Sequence, residues 1–210
     1  MIKKLALFLT LAASLTSVQA QDAEAGSTKV AMCIGCHGIP GYQASFPEVH
    51  KVPMIAGQNA AYIVASLAAY KSGERKHPTM RAVAGSMSEQ DMADVAAYYE
   101  KLGKPAPATA IPAPSAPVAE LLTKGGCTGC HGENFNQPID PSYPKVAGQY
   151  ADFLYVSLKA YQIDGNPQVG RGNPIMGGIA RQFTRPELKQ LAAYLGRLPG
   201  QLATPTPTLR

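Results

Sequence analysis

All four cysteines of this 210-residue chain fall in two copies of one pentapeptide, Cys33-Ile34-Gly35-Cys36-His37 and Cys127-Thr128-Gly129-Cys130-His131. Thiols at i and i+3 suit several chemistries. A thioredoxin-like redox pair needs a βαβ setting, and no strand-rich pattern surrounds either copy. A shared zinc site usually draws on pairs closer together than the 94 positions between Cys33 and Cys127. Structural disulfides are poorly served by i, i+3 pairs on a helix. None of these explains a histidine directly after both pairs. Covalent attachment of haem does: Cys33, Cys36, Cys127 and Cys130 each form a thioether to a vinyl group, and His37 and His131 ligate the iron from the proximal side. Two haem c groups are therefore expected, with electron transfer as the default chemistry.

The second axial ligand is chosen by an internal repeat. Met176, in Asn173-Pro174-Ile175-Met176, is the single methionine of the second copy, and its counterpart is Met80, in His77-Pro78-Thr79-Met80. Each stands seven residues before an apolar partner, Met87 and Phe183, so Met87 reads as core. Methionine opposite histidine raises the potential of a haem, whereas a second histidine lowers it. His77 is the main competitor to Met80, but its repeat equivalent is Asn173. Each proximal histidine needs an acceptor for its other ring N–H, and the carbonyls of Pro53 and Pro144 are candidates. Arg75 and Arg171 are candidates to meet a haem propionate, against the simpler reading of solvated surface cations.

The elements that position these residues are also duplicated. Pro53-Met54-Ile55-Ala56-Gly57-Gln58 matches Pro144-Lys145-Val146-Ala147-Gly148-Gln149, and Ser66-Leu67-Ala68-Ala69-Tyr70 matches Ser157-Leu158-Lys159-Ala160-Tyr161. Apolar spacing predicts an all-α fold, with helices over 22–34, 58–71, 119–129 and 149–162. A last helix in each half follows a capping signature, Ser88 to Asp91 and Thr184 to Glu187. The Gly- and Pro-rich stretches between helices read as loops around the haem. Two domains are expected, at 21–103 and 119–200. The Pro/Ala-rich stretch 104–118 between them is too proline-broken for a helix and reads as an extended linker. Residues 201–210 read as a mobile tail.

Residues 1–20 read as a cleaved signal peptide. Lys3 and Lys4 precede an apolar run of about 14 residues, short of the roughly 20 a spanning helix needs, and Val18-Gln19-Ala20 offers a cleavage site. A periplasmic location follows, with at most peripheral membrane contact. Charge is uneven, net −1 over 21–103 and +4 over 104–210. This reads either as two differently solvated surfaces or as a dipole that orients docking on an acidic partner. Basic runs and interleaved aromatics are lacking, which argues against nucleic acid.

Two class I cytochrome c domains in tandem, each with Cys-x-x-Cys-His, Pro-x-Ile/Val-Ala-Gly-Gln and a Pro-x-Met loop, resemble the dihaem cytochrome c4 family. The resemblance spans nearly the whole mature chain. It implies small helical bundles around covalent haems, with Cys33, Cys36, Cys127 and Cys130 in thioethers, His37 and His131 proximal, and Met80 and Met176 distal. It also implies a monomeric periplasmic electron carrier, not an enzyme, between quinol–cytochrome c oxidoreductase or a dehydrogenase and a terminal oxidase. The alternative is a cytochrome subunit of a periplasmic flavoprotein or quinoprotein dehydrogenase. A dihaem peroxidase is disfavoured, because a methionine is available to each haem.

Overall fold

The computed structural model describes residues 20–205; the signal-like segment lies outside them apart from Ala20. The first lobe begins with α1 (Ala23–Lys29), started by Asp22, whose carboxylate accepts from the Glu24 and Ala25 amides. A break at Val30 separates it from α2 (Ala31–His37), which carries the first Cys-x-x-Cys-His. A short antiparallel pair, β1 (Gln43–Ala44) and β2 (His50–Lys51), shapes the following loop. Then come α3 (Ala60–Ser72), β3 (Arg75–Lys76), α4 (Pro78–Gly85) and α5 (Glu89–Lys101). The second lobe repeats the plan: α6 (Ala116–Gly125), α7 (Cys127–His131), α8 (Ala151–Ala160), β4 (Gly170–Arg171), α9 (Pro174–Ala180) and α10 (Arg185–Arg197).

Both closing helices start as their sequences dictate. Ser88 and Thr184 cap the N3 amides of Asp91 and Glu187, and those carboxylates return a bond to the cap backbone. Their apolar faces then close each core. In the first lobe Met92, Val95 and Tyr99 pack on Ile63 and Leu67 of α3. In the second, Leu188 and Leu191 join Leu121 and Phe183, while Ala192 and Leu195 join Val118 and Leu154. Each large apolar side chain buried this way contributes roughly 1.5–3 kcal/mol.

The Ala-Gly-Gln turns tie the loop under each motif to the closing helix. The Gly57 amide donates to Tyr99 O at 2.8 Å, and the Gly148 amide to Leu195 O at 2.9 Å. Both glycines have left-handed backbones, φ 81° and 73°. A Cβ on Gly57 would also lie 2.6 Å from both Gln201 O and Gly103 Cα. Glycine is required there twice over.

Three expectations change. The two methionine segments are short helices, α4 and α9, rather than loops; a proline in the first turn follows a capping side chain in each. The linker is helical from Ala116, because Pro117 falls in the first turn of α6, where a missing N–H costs nothing. Its extended part lies on the second lobe: Tyr194 OH donates to Pro112 O at 3.1 Å and Ile111 packs on the core. Residues 201–205 of the tail are docked, not mobile. Leu202 is buried, Ala203 bridges to Ala56, and the Lys104 amide donates to Gln201 O at 2.8 Å. Apolar burial and backbone pairing outweigh the mobility expected of a chain end. Residues 206–210 lie outside the described residues.

The lobes pack through a pseudo-symmetric interface. Strands β3 and β4 pair antiparallel across it, with Arg75 opposite Arg171. Gln58 bonds the backbone of Lys145, and Gln149 bonds the backbone of Met54. Lys145 Nζ reaches Gly57 O at 2.8 Å, and the Gly41 amide donates to Tyr150 OH at 3.3 Å. Lys51 pairs with Asp152, and Lys159 with Glu48.

Candidate haem sites

A cavity of about 710 Å³, largely apolar, runs through both lobes. The first lobe brings Cys33, Cys36, His37 and Met80 to its wall, and the second brings Cys127, Cys130, His131 and Met176. Burial pushes the Cys33 and Cys127 thiols up, so these positions favour an uncharged sulfur, as in a thioether.

Each motif histidine is fixed by a carbonyl. His37 Nδ1 lies 2.8 Å from Pro53 O, and His131 Nδ1 lies 3.0 Å from Pro144 O. A carbonyl only accepts, so Nδ1 carries the proton and Nε2 keeps its lone pair for a metal. Burial lowers the pKa of both rings, which keeps them neutral.

The methionines stand in the first turns of α4 and α9. His77 Nδ1 accepts from the Met80 amide at 3.4 Å, and Asn173 Oδ1 accepts from the Met176 amide at 2.9 Å. His77 therefore acts as a helix cap in the first lobe, matching its repeat partner Asn173. Met87 and Phe183 are both buried core residues, at 6% and 5% exposure.

Arg75 and Arg171 are half-buried rather than freely solvated, and both line the cavity. Arg75 donates to Ser66 Oγ and Tyr62 OH and lies over the Tyr62 and Tyr70 rings. Arg171 lies over Phe153 and Tyr161. Among the described residues neither guanidinium pairs with a carboxylate. Burial alone would raise the Tyr62 phenol, but the charges of Arg75 and Arg171 outweigh it and bring the pKa down to about 8. Two unneutralised cations on an apolar wall suit an occupant bearing carboxylates.

Among the described residues two buried polar atoms on this wall, Tyr99 OH and Ser157 Oγ, have no well-formed hydrogen bond, and Tyr99 OH meets only the Cys33 sulfur. Such atoms call for an occupant. Paired thiols, an imidazole of fixed tautomer, a thioether and uncompensated cations fit haem c in both lobes. The sequence nominates the cysteines, histidines, methionines and arginines on this wall, but not the capping role of His77, the Tyr99 and Ser157 hydroxyls, or the Gln58 and Gln149 contacts. A His-Pro or Asn-Pro step before the methionine was the signal for the cap.

Fold and donor set together define tandem c-type cytochrome domains, and a family model described as cytochrome c matches residues 23–103 and 115–199. Cytochrome c4 of Stutzerimonas stutzeri is 32% identical over 206 residues, covering 90% of this chain and 95% of that protein. A thiosulfate dehydrogenase electron acceptor of S. stutzeri strain A1501 is 32% identical over 213 residues, covering 92% and 94%. The crystal structure of reduced recombinant cytochrome c4 from Pseudomonas stutzeri superposes with a TM-score of 0.63 at 28% identity, covering 85% of this chain and all of that one. The chain belongs to the dihaem cytochrome c4 family. It is an electron carrier with two haem c groups, and not an enzyme.

Proposed function

We propose that the chain is a periplasmic one-electron carrier of a respiratory chain, working between quinol–cytochrome c oxidoreductase or a dehydrogenase and a terminal oxidase. Cys33 and Cys36 would hold one haem and Cys127 and Cys130 the other; His37 with Met80, and His131 with Met176, would ligate the two irons. Residues 21–103 and 119–200 form the two haem domains, joined by 104–118. The observation that carries this reading is the convergence, twice over, of a thiol pair, a carbonyl-anchored imidazole and a thioether on one cavity.

Each bound haem supplies an iron that gains and loses one electron. The protein fixes the conditions for that exchange. Pro53 and Pro144 orient the imidazoles and raise their basicity. Apolar walls exclude water and favour the less charged ferrous state, as does methionine sulfur. Arg75 and Arg171 would hold propionate carboxylates where the lobes meet. With imidazole nitrogen and thioether sulfur both given to the iron, a bound haem would offer no open position to a substrate, which suits a carrier.

Among the described residues no helix is long and apolar enough to cross a membrane. Residues 1–20 act as the export signal, and sequencing the mature protein from its periplasmic fraction should start near Gln21. For the ligands, the oxidised protein should show the weak absorption band near the red end of the visible spectrum that thioether–ferric haem bonding produces. Survival of that band in a Met80→Ala, Met176→Ala double variant would reject the assignment.

A second reading, service to one dehydrogenase, is favoured by the relative named as a thiosulfate dehydrogenase electron acceptor. Native mass spectrometry of the protein isolated from its own periplasm separates the two: a free monomer supports the carrier, a stoichiometric complex the dedicated subunit.

A further inference from the structure

The carbonyls that orient the two proximal histidines belong to peptide groups gripped from the opposite lobe. Pro53 O accepts from His37 Nδ1 at 2.8 Å, and the N–H of that same peptide, on Met54, donates to Gln149 Oε1 at 3.0 Å. Gln149 Nε2 returns a bond to Met54 O at 2.8 Å. The arrangement is repeated with the lobes exchanged. Pro144 O accepts from His131 Nδ1 at 3.0 Å, the Lys145 N–H donates to Gln58 Oε1 at 2.8 Å, and Gln58 Nε2 donates to Lys145 O at 3.0 Å. Both glutamines are 96% buried, with 4% exposure each. Each Oε1 also accepts the next amide of its own chain, Asn59 or Tyr150, which fixes the side chain against the turn.

We propose that Gln58 and Gln149 are positioning residues exchanged between the lobes, each setting the basicity of the axial histidine in the lobe to which it does not belong. An amide whose N–H donates to a good acceptor carries more negative charge on its own oxygen. Hydrogen bonds in such a chain strengthen one another by about 10–30%. A stronger acceptor at Pro53 O draws the Nδ1 proton of His37 further off, gives the ring more imidazolate character and stabilises the ferric state. Gln149 therefore lowers the potential of the first lobe and Gln58 that of the second. Reciprocity makes each site sensitive to the docking of its neighbour: separating the lobes weakens both histidine bonds at once.

The proposal rests on reading His37 and His131 as iron ligands. The test uses the full-length, haem-loaded protein and two substitutions of opposite sign. Gln149→Met keeps the side-chain length and removes the acceptor. Gln149→Glu keeps an oxygen toward the Met54 N–H and makes it a stronger acceptor. In proton–nitrogen NMR of the reduced protein, the His37 Nδ1–H signal should move upfield in Q149M and downfield in Q149E, with His131 unmoved. Redox titration should show the first-lobe potential rising in Q149M by about a threefold change in its one-electron equilibrium constant, a tenfold change being 59 mV. Q58M and Q58E should do the same to His131 and the second lobe.

A glutamine that merely pins the interface moves both histidines together, or moves them alike in the Met and Glu variants; either pattern overturns the proposal, as does an effect confined to the glutamine's own lobe. Should Q149M fail to retain its haems, Q149E alone decides through the direction of the His37 shift. The ligand reading is judged on the unsubstituted protein. Ring protons of His37 and His131 at ordinary frequencies, outside porphyrin ring-current shifts, overturn both; ring-current-shifted signals with no crossing overturn only the glutamine role.

Discussion

In the first lobe the entry helix α1 lies with its backbone against the closing helix: a Cβ on Gly26 would stand 2.1 Å from Asp94 O. In the second, α6 meets α10 through the side chains of Val118 and Leu121. The first contact is then clamped by charge. Lys29 Nζ bonds Asp94 at 2.8 Å and Asp91 at 2.7 Å, and Asp94 also accepts from the Asp22 amide and Gln90. Among the described residues the corresponding α6–α10 contact of the second lobe has the looser pair Lys124 to Glu187 at 3.7 Å. One plan is thus held by close backbone approach and a buried carboxylate in one copy, and by larger apolar side chains in the other. Duplicated ligands constrain where a helix must end, not how it is fastened.

The largest expected effect breaks that contrast at its sharpest point. Gly26→Val must push α1 off α5, and overpacking of this kind costs about 3 kcal/mol. Glu120, which like Gly26 stands seven residues before the first cysteine of its motif, is exposed. Glu120→Val should stay within about 0.5 kcal/mol. Hydrogen exchange of the α1 and α5 amides, against α6 and α10, reads the two variants separately. Equal losses would mean that the two crossings are alike.

A smaller effect follows from Asp94, the one carboxylate among the buried polar side chains of the described residues. Lys29, then the Asp22 amide, hold it below the usual carboxylate range. A lowered folded-state pKa stabilises above the unfolded value, about 3.9, and that stabilisation is lost as pH falls through the folded value. Protection of α1 and α5 should therefore decline below about pH 4, and by more than that of α6 and α10, where Glu187, also held low by its Thr184 cap, lacks a close cation. Asp94→Asn should reduce the extra acid sensitivity, Asp91 keeping its own bond to Lys29, and lower the melting temperature at neutral pH by less than Gly26→Val does. An unchanged acid profile in D94N would assign the sensitivity elsewhere.

The caps of the methionine helices sharpen the comparison at about 1 kcal/mol, the usual worth of an N-cap side chain. Asn173 holds the Met176 amide at 2.9 Å and His77 holds that of Met80 at 3.4 Å. Asn173→Ala should therefore loosen its methionine more than His77→Ala does. Cyanide binding to the oxidised protein measures this, and the second lobe of N173A should take up the ligand severalfold faster. His77→Asn should slow uptake in the first lobe below that of the unsubstituted protein. A faster H77N would show that the ring does more than cap, for instance through its edge contacts with Phe46 and Tyr70.

These differences mark what could be read from the chain alone. The repeat, both capping boxes and the cavity-lining donor residues were legible, because each rests on local spacing: i, i+3 thiols, Ser-x-x-Asp, a methionine at fixed distance from a cap. Helices α4 and α9 stand where Gly- and Pro-rich sequence suggests loops, because Pro78 and Pro174 open a first turn. Pro117 does the same for α6. The Gln58 and Gln149 contacts were illegible for another reason. The Ala-Gly-Gln repeat shows that each copy needs the residue, but a contact reaching from one copy to the other leaves no period in sequence. Docking of Leu202 and Ala203 leaves no such period either, since the surface receiving them is the Ala56–Gly57 turn.

The smallest expected effect lies where the two lobes cease to be separable. Asp152, at the start of α8, accepts from both the backbone and the ammonium of Lys51, at 3.1 and 3.3 Å. The side chains keep 40% and 33% of their exposure, so water screens the pair. A Lys51→Ala, Asp152→Ala cycle should give a coupling of about 0.5 kcal/mol in low salt, falling towards zero at 1 M, where the screening length is about 3 Å. The backbone bond to Lys51 survives in the Lys51→Ala variant, so a cycle coupling much above this value could not come from the ammonium pair alone. It would mean that Asp152 orders β2, and with it the Glu48–Lys159 contact beside it. In that case the interface would depend on a half-buried carboxylate as well as on the buried glutamines, and lobe separation would acquire a salt dependence that glutamine contacts by themselves do not produce.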